Sequence, residues 1–135
     1  MDFVYLLTPF SAWLVNGLLK FAINSFKAKK LAFGLIGYGG FPSNHSAIVS
    51  SMAALIAFKN GIDHPAFGVA VTLAFIVILD AHSLRRQIGK HAVVINRITT
   101  SSDYPALRER MGHTSVEIAA GVLVGIGIGG CWAFI

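Results

Sequence analysis

The sequence predicts an all-α integral membrane protein: a four-helix bundle with an interfacial amphipathic helix between the third and fourth spans. Three observations carry that prediction. Of 135 residues, 55% are hydrophobic and only 13% are Asp, Glu, Lys or Arg, against roughly a quarter in an ordinary soluble domain. Too few charges are present to coat a water-soluble globule. The apolar residues fall in long runs, and the basic residues gather in two clusters between those runs. The length fits a single domain over residues 1–135, and the 14 glycines follow no Gly-X-Y period, which excludes a collagen-like chain.

Residues 3–26 hold one charge, Lys20, and at about 1.5 Å per residue they cross a hydrocarbon core of about 30 Å. Met1-Asp2 precede this run with no basic segment, and no small-residue cleavage site follows, so the first span is expected to be retained. Lys27, Lys29 and Lys30 come next, then a glycine-punctuated re-entry through residues 31–40 to Phe41-Pro42. Ser43 or Asn44 caps a second span at 43–58, which Gly61 stops. Pro65 is well placed to start a third span at 65–81. Both middle spans are short for a bilayer. The fourth, 114–135, carries only Glu117, and Gly121, Gly125 and Gly129 recur every fourth residue. That smooth face serves intramolecular packing or a dimer seam, and four helices leave polar groups to cover, which favours self-association.

Between the third and fourth spans, Leu84, Ile88, Ala92, Ile95 and Ile98 share one side of a 3.6-residue period, with Arg86, Lys90 and Arg97 opposite. This is the expected interfacial helix at 83–98. Of the eleven basic residues, all but Lys59 fall on one side of a four-span topology. The positive-inside rule then places both basic loops in the cytoplasm and both termini outside. Nucleic acid is set aside as a partner, because orientation and anionic head groups account for the net charge of +5. Cys131, the single cysteine, supplies neither an intrachain disulfide nor a Cys-based metal site.

The same topology gathers polar residues that are distant in sequence. Lys20 and Lys27 end the first span, His45 opens the second, Asp80 closes the third, and His113 and Glu117 open the fourth. Ionisable groups at the rim of a membrane bundle are costly, so such a cluster points to a functional site. Gly40-Phe41-Pro42-Ser43-Asn44-His45-Ser46 joins a turn to a helix start, leaving amide N–H groups and a dipole that favour an anion. Ser43 taken alone is more often a plain N-cap than a ligand. His113 and Glu117 stand four apart on one helical face. The carboxylate can fix one imidazole nitrogen and free the other as a nucleophile, or the two can form an interhelical hydrogen-bonded pair.

These residues carry a resemblance. Pro42-Ser43-Asn44-His45 resembles the Pro-Ser-Gly-His signature of the type 2 phosphatidic acid phosphatase and vanadium haloperoxidase superfamily. Gly112-His113-Thr114 with Glu117 resembles its last signature, and Lys20 with Lys27 resembles its Lys-x6-Arg-Pro. Over nearly the whole chain, with Asp80-Ala81-His82-Ser83-Leu84-Arg85-Arg86 between, the order is similar to a small divergent branch of that superfamily. Lys27 stands where the superfamily has Arg, Ala28 where it has Pro, Asn44 replaces Gly, and Glu117 replaces Asp. The expected arginine of the third signature falls on Leu107, with Arg108 one residue later.

The resemblance implies a metal-independent and cofactor-free phosphatase acting through a phosphohistidine. His113 would attack phosphorus, Glu117 would orient it, and His45 would protonate the leaving alcohol. Lys20, Lys27, Ser43, Asn44 and either Arg85 or Arg86 would hold the phosphate oxygens. It implies a phosphorylated lipid as substrate, a phospholipid or prenyl phosphate with phosphatidylglycerophosphate among the candidates. The location expected is a bacterial inner membrane. Its alternative is a non-catalytic membrane module that binds anionic head groups.

Overall fold

The computed structural model describes residues 3–29, 40–99 and 104–135. Among them the chain is helical, with no strand: α1 (Val4–Ala28), α2 (Asn44–Asn60), α3 (Pro65–Leu79), a π-helical turn (Asp80–Leu84), α4 (Arg85–Ile98) and α5 (Ser115–Ala133). Lys30 and the expected re-entry, Gly40 excepted, lie outside the described residues.

The helix ends follow local chemistry. Ser43 is the N-cap of α2, its Oγ accepting from the Ser46 N–H, and Gly61, at φ 90°, ends that helix with a backbone that side chains disfavour. Pro65 sits in the first turn of α3, and the cap before it is His64, whose Nδ1 accepts from the Ala66 N–H at 3.2 Å. Thr114 and Glu117 form a reciprocal capping box at the start of α5.

Residues 83–98 are helical, and the described chain passes into them from α3 without a break. From Pro65 to Ile98 the helix is unbroken for 34 residues. Neither glycine nor proline interrupts residues 80–88, so nothing stops the helix there. The π turn absorbs one extra residue, with the Arg85 N–H donating to the Asp80 carbonyl. Of the predicted apolar side of α4 only Ala92 is buried, together with Gly89; Leu84, Ile88, Ile95 and Ile98 are exposed.

Helix α2 is the centre of the bundle, packed against α1, α3 and α5. Its buried side chains are mostly small: Ser46, Ala47, Ser50, Ser51 and Ala54. The glycine ridge of α5 lies on them, all three glycines being buried. A methyl group on Gly121, Gly125 or Gly129 would overlap the carbonyl oxygen of Ser43, Ala47 or Ser51 respectively. The two series advance together, so α2 and α5 run parallel at a separation only glycine permits. The ridge therefore serves the bundle's own packing and is not a dimer seam.

Most other large apolar side chains point outward, among them Phe10, Trp13, Val69, Phe75 and Leu123. Three helices among the described residues are long and apolar enough to cross a membrane: α1, the continuous α3 to α4 rod, and α5. At 17 residues α2 is the short internal helix they surround.

Candidate active site

Antiparallel and parallel packing bring one end of every helix to the same place. Helix α1 arrives with Asn16 and Lys20, α2 departs from Pro42-Ser43-Asn44-His45, α3 arrives at Asp80, and α5 departs from His113 and Glu117. Cross-links between these ends are polar. The Ser43 N–H donates to the Glu117 carbonyl and the His113 N–H to the Ala81 carbonyl, both at 2.9 Å. Asn16 is fully buried. Its amide donates to the Pro42 carbonyl at 3.3 Å and to the Asn44 side-chain oxygen, pinning the turn that presents His45.

His113 is 6% exposed, and its Nδ1 lies 3.3 Å from Glu117 Oε2. The same carboxylate oxygen accepts from the Thr114 N–H at 2.9 Å. The cap thus fixes the carboxylate, and the carboxylate fixes the imidazole, leaving Nε2 as the nitrogen that faces away. The His45 ring stands 6.1 Å from that of His113, centroid to centroid and tilted by 57°. Its Nδ1 is buried with no hydrogen-bond partner among the described residues. One ring is held and the other is not, an asymmetry that suits a fixed nucleophile facing a proton carrier.

Two cations, Lys20 and Arg85, act on the pair. Burial pushes His113 below the usual imidazole range; the hydrogen bond and charge of Glu117 oppose that, while the charges of Lys20 and Arg85 add to it. The balance favours the neutral form of the ring. The Cε of Lys20 lies beside Gly40, where an added Cβ would stand 3.6 Å away. Arg85 donates from Nε to Asp80 Oδ2 at 2.8 Å, and its charge, like those of Asp80 and Lys20, reaches His45. Arg86 instead packs its stem over Gly112. Arg85 is therefore the arginine of that pair at the imidazoles.

Other expected ligands are placed differently. Lys27 is exposed in the last turn of α1, about 10 Å further along the axis than Lys20 at 1.5 Å per residue, and no described contact joins it to the imidazoles. Ser43 is fully buried, with its Oγ accepting from the Ser46 hydroxyl at 3.0 Å, and Asn44 is engaged by Asn16. At that turn these two build the scaffold.

Two contributions escaped the sequence reading. One is Asn16, a polar residue in the middle of an apolar run and one turn before Lys20; that placement was its signal. The other is the strap leading into His113, which runs back along α4. Asn96 grips it from both sides: its amide nitrogen donates to the Leu107 carbonyl and to Glu109 Oε1, each at 2.9 Å, and its oxygen accepts from the Leu107 N–H at 2.8 Å. Gly89 leaves room for the Glu109 carbonyl, and Gly112, at φ 80°, for Arg86. The strap carries Arg108, whose charge reaches Lys20, and so delivers an arginine one residue later than the superfamily spacing.

At one end of this helical membrane protein, two imidazoles meet beside the charges of Lys20 and Arg85. The chain belongs to the Divergent PAP2 family, whose model matches residues 2–128. It is 31% identical over 139 residues to YuiD, an uncharacterized membrane protein of Bacillus subtilis (strain 168), covering 90% of this chain and 88% of that one. No solved structure matches it.

Proposed function

We propose that this protein is a membrane lipid phosphatase that hydrolyses the phosphate monoester of a phospholipid or prenyl phosphate, phosphatidylglycerophosphate among them, through a phosphohistidine. The observation that carries the reading is the carboxylate-tethered His113 facing His45 at 6.1 Å amid the charges of Lys20 and Arg85. His113 Nε2 donates its lone pair to phosphorus, the N–P bond forms, and the P–O bond to the lipid breaks. The leaving alkoxide takes its proton from His45. Water, deprotonated by the same His45, then attacks the phosphohistidine and releases inorganic phosphate. Lys20, Arg85 and Arg108 offset the charge gathering on the phosphoryl oxygens.

Four spans are proposed, with α2 as the short one. The basic residues at the site end support an orientation with that end at the cytoplasmic face of a bacterial inner membrane and both termini opposite. A second reading, a non-catalytic module for anionic head groups, is favoured by one observation: Ser43 and Asn44 are already engaged within the protein, leaving fewer groups to grip phosphate.

Phosphate release from lipid monophosphates by purified protein in detergent or vesicles separates the two. The phosphatase reading expects release by wild type, none by His113→Ala, slowed release by His45→Ala, and inhibition by vanadate, a transition-state mimic, with chelators inert. Equal release by wild type and His113→Ala overturns it.

A further inference from the structure

Deeper along α5 than the imidazoles lies a groove of about 410 Å³, walled by Ser11 and Val15 of α1 on one side and on the other by α5 from Val124 to Trp132 and by Ile135. That volume falls in the range of about 300–1,000 Å³ typical of clefts that hold ligands. The lining is almost wholly apolar. Its one hydroxyl, on Ser11, donates to the Leu7 carbonyl of its own helix at 3.0 Å, which leaves the Trp132 indole N–H and the Cys131 thiol as the other polar groups of the lining. Gly127 contributes to the opening by lacking a side chain: an added Cβ there would meet nothing within 4 Å.

The groove is aligned with the site along one face of α5. Val124 and Ile128 stand seven and eleven residues beyond Glu117, so the three share a stripe of α5. The carboxylate that orients His113 heads that stripe, and the groove begins about 10 Å deeper at 1.5 Å per residue. A molecule reaching from one to the other would present an anion to Lys20 and Arg85 and a largely apolar chain to the groove. We propose that the α1–α5 groove seats one acyl or prenyl chain of a phosphate-bearing lipid whose head group lies at His113. The inference rests on reading the His113 cluster as the site of that head group, and it fixes which helix pair the lipid tail enters.

Photolabelling tests it. The protein in phosphatidylcholine vesicles is irradiated with a phosphatidic acid carrying a diazirine midway along one acyl chain, and adducts are mapped by peptide mass spectrometry. Labelling is expected on the α5 segment 124–131. It should fall about tenfold when excess unlabelled phosphatidic acid competes for the site, and hardly at all with the same excess of phosphatidylcholine. Gly127→Phe and Gly127→Leu fill the groove and should reduce it in proportion to side-chain size. Gly68→Phe adds the same bulk to an open position on α3 and should leave it at the wild-type level. Labelling spread along every lipid-facing helix and competed equally by phosphatidylcholine overturns the proposal, as does Cys131-to-Cys131 cross-linking between copies that excludes the probe.

Labelling needs no turnover, so the two readings fail separately. Protein that releases no phosphate yet shows the competed adduct loses the phosphatase reading and keeps the groove. Protein that hydrolyses lipid monophosphates while its adduct is uncompeted keeps the phosphatase and loses the groove.

Discussion

The two ends of the α2–α5 seam are built from different forces. At the site end, hydrogen bonds cross between elements: Ser43 to Glu117, His113 to Ala81, Asn16 to Pro42 and Asn44. Deeper in, the seam is backbone against backbone, glycine over carbonyl at Gly125 and Gly129, and at the far end the ring contact of Phe58 with Phe134 and the Tyr5 to Asn60 hydrogen bond remain. Among lipid tails apolar burial gives helices little reason to associate, so close packing must supply cohesion and directional bonds must supply specificity. The protein separates these two tasks along one helix pair.

The separation can be broken from either end. The largest expected effect is on chemistry: His113→Ala should lower phosphate release by at least about a thousandfold, because a nucleophile has no substitute, while circular dichroism in detergent stays near wild type. Gly125→Ala should act oppositely, weakening the seam by about 1–3 kcal/mol through overpacking, read as a lower melting temperature. Gly127→Ala, two residues on but facing open space, should change stability by no more than about 1 kcal/mol, in the stabilising direction. That contrast between near neighbours tests whether the ridge, rather than glycine content, holds α2.

Asn16→Ala sharpens the comparison at its boundary. Leaving the Pro42 carbonyl and Asn44 without their buried donor should cost about 1–3 kcal/mol and lower kcat/KM, since the turn presenting His45 loses its anchor. The smallest effect is a pH shift. His113 must be neutral to attack, and burial already holds it below the ordinary imidazole range, so the acid limb of kcat/KM should lie below that range. Glu117→Gln removes the carboxylate charge that raises it and should move the limb to still lower pH; Lys20→Met removes one that lowers it and should move the limb upward. A pH profile of each variant checks the signs.

What could be read from the residues alone followed the range of the interactions. The His113 to Glu117 pair, the Ser43 cap, the Gly61 stop and the glycine ridge are local or periodic features, and each sits where spacing placed it. The helix at 83–98 was legible as amphipathic, but its fusion to α3 was not, since a π turn leaves no compositional mark in Asp80-Ala81-His82-Ser83-Leu84. The grip of Asn96 on Leu107 spans eleven residues and depends on the strap doubling back, a tertiary fact. Lys27 looked equivalent to Lys20 by motif. Seven residues of helix set it well beyond Lys20 along α1, and only Lys20 has a charge that reaches the imidazoles.

The hydrogen bond from the His113 main chain to Ala81 ties that imidazole to a rod that runs unbroken from Pro65 to Ile98. Its height is therefore referenced to that helix, not to a pliable loop. Under the proposed chemistry, the attacking nitrogen then holds its depth relative to that rod whatever the neighbouring turns do.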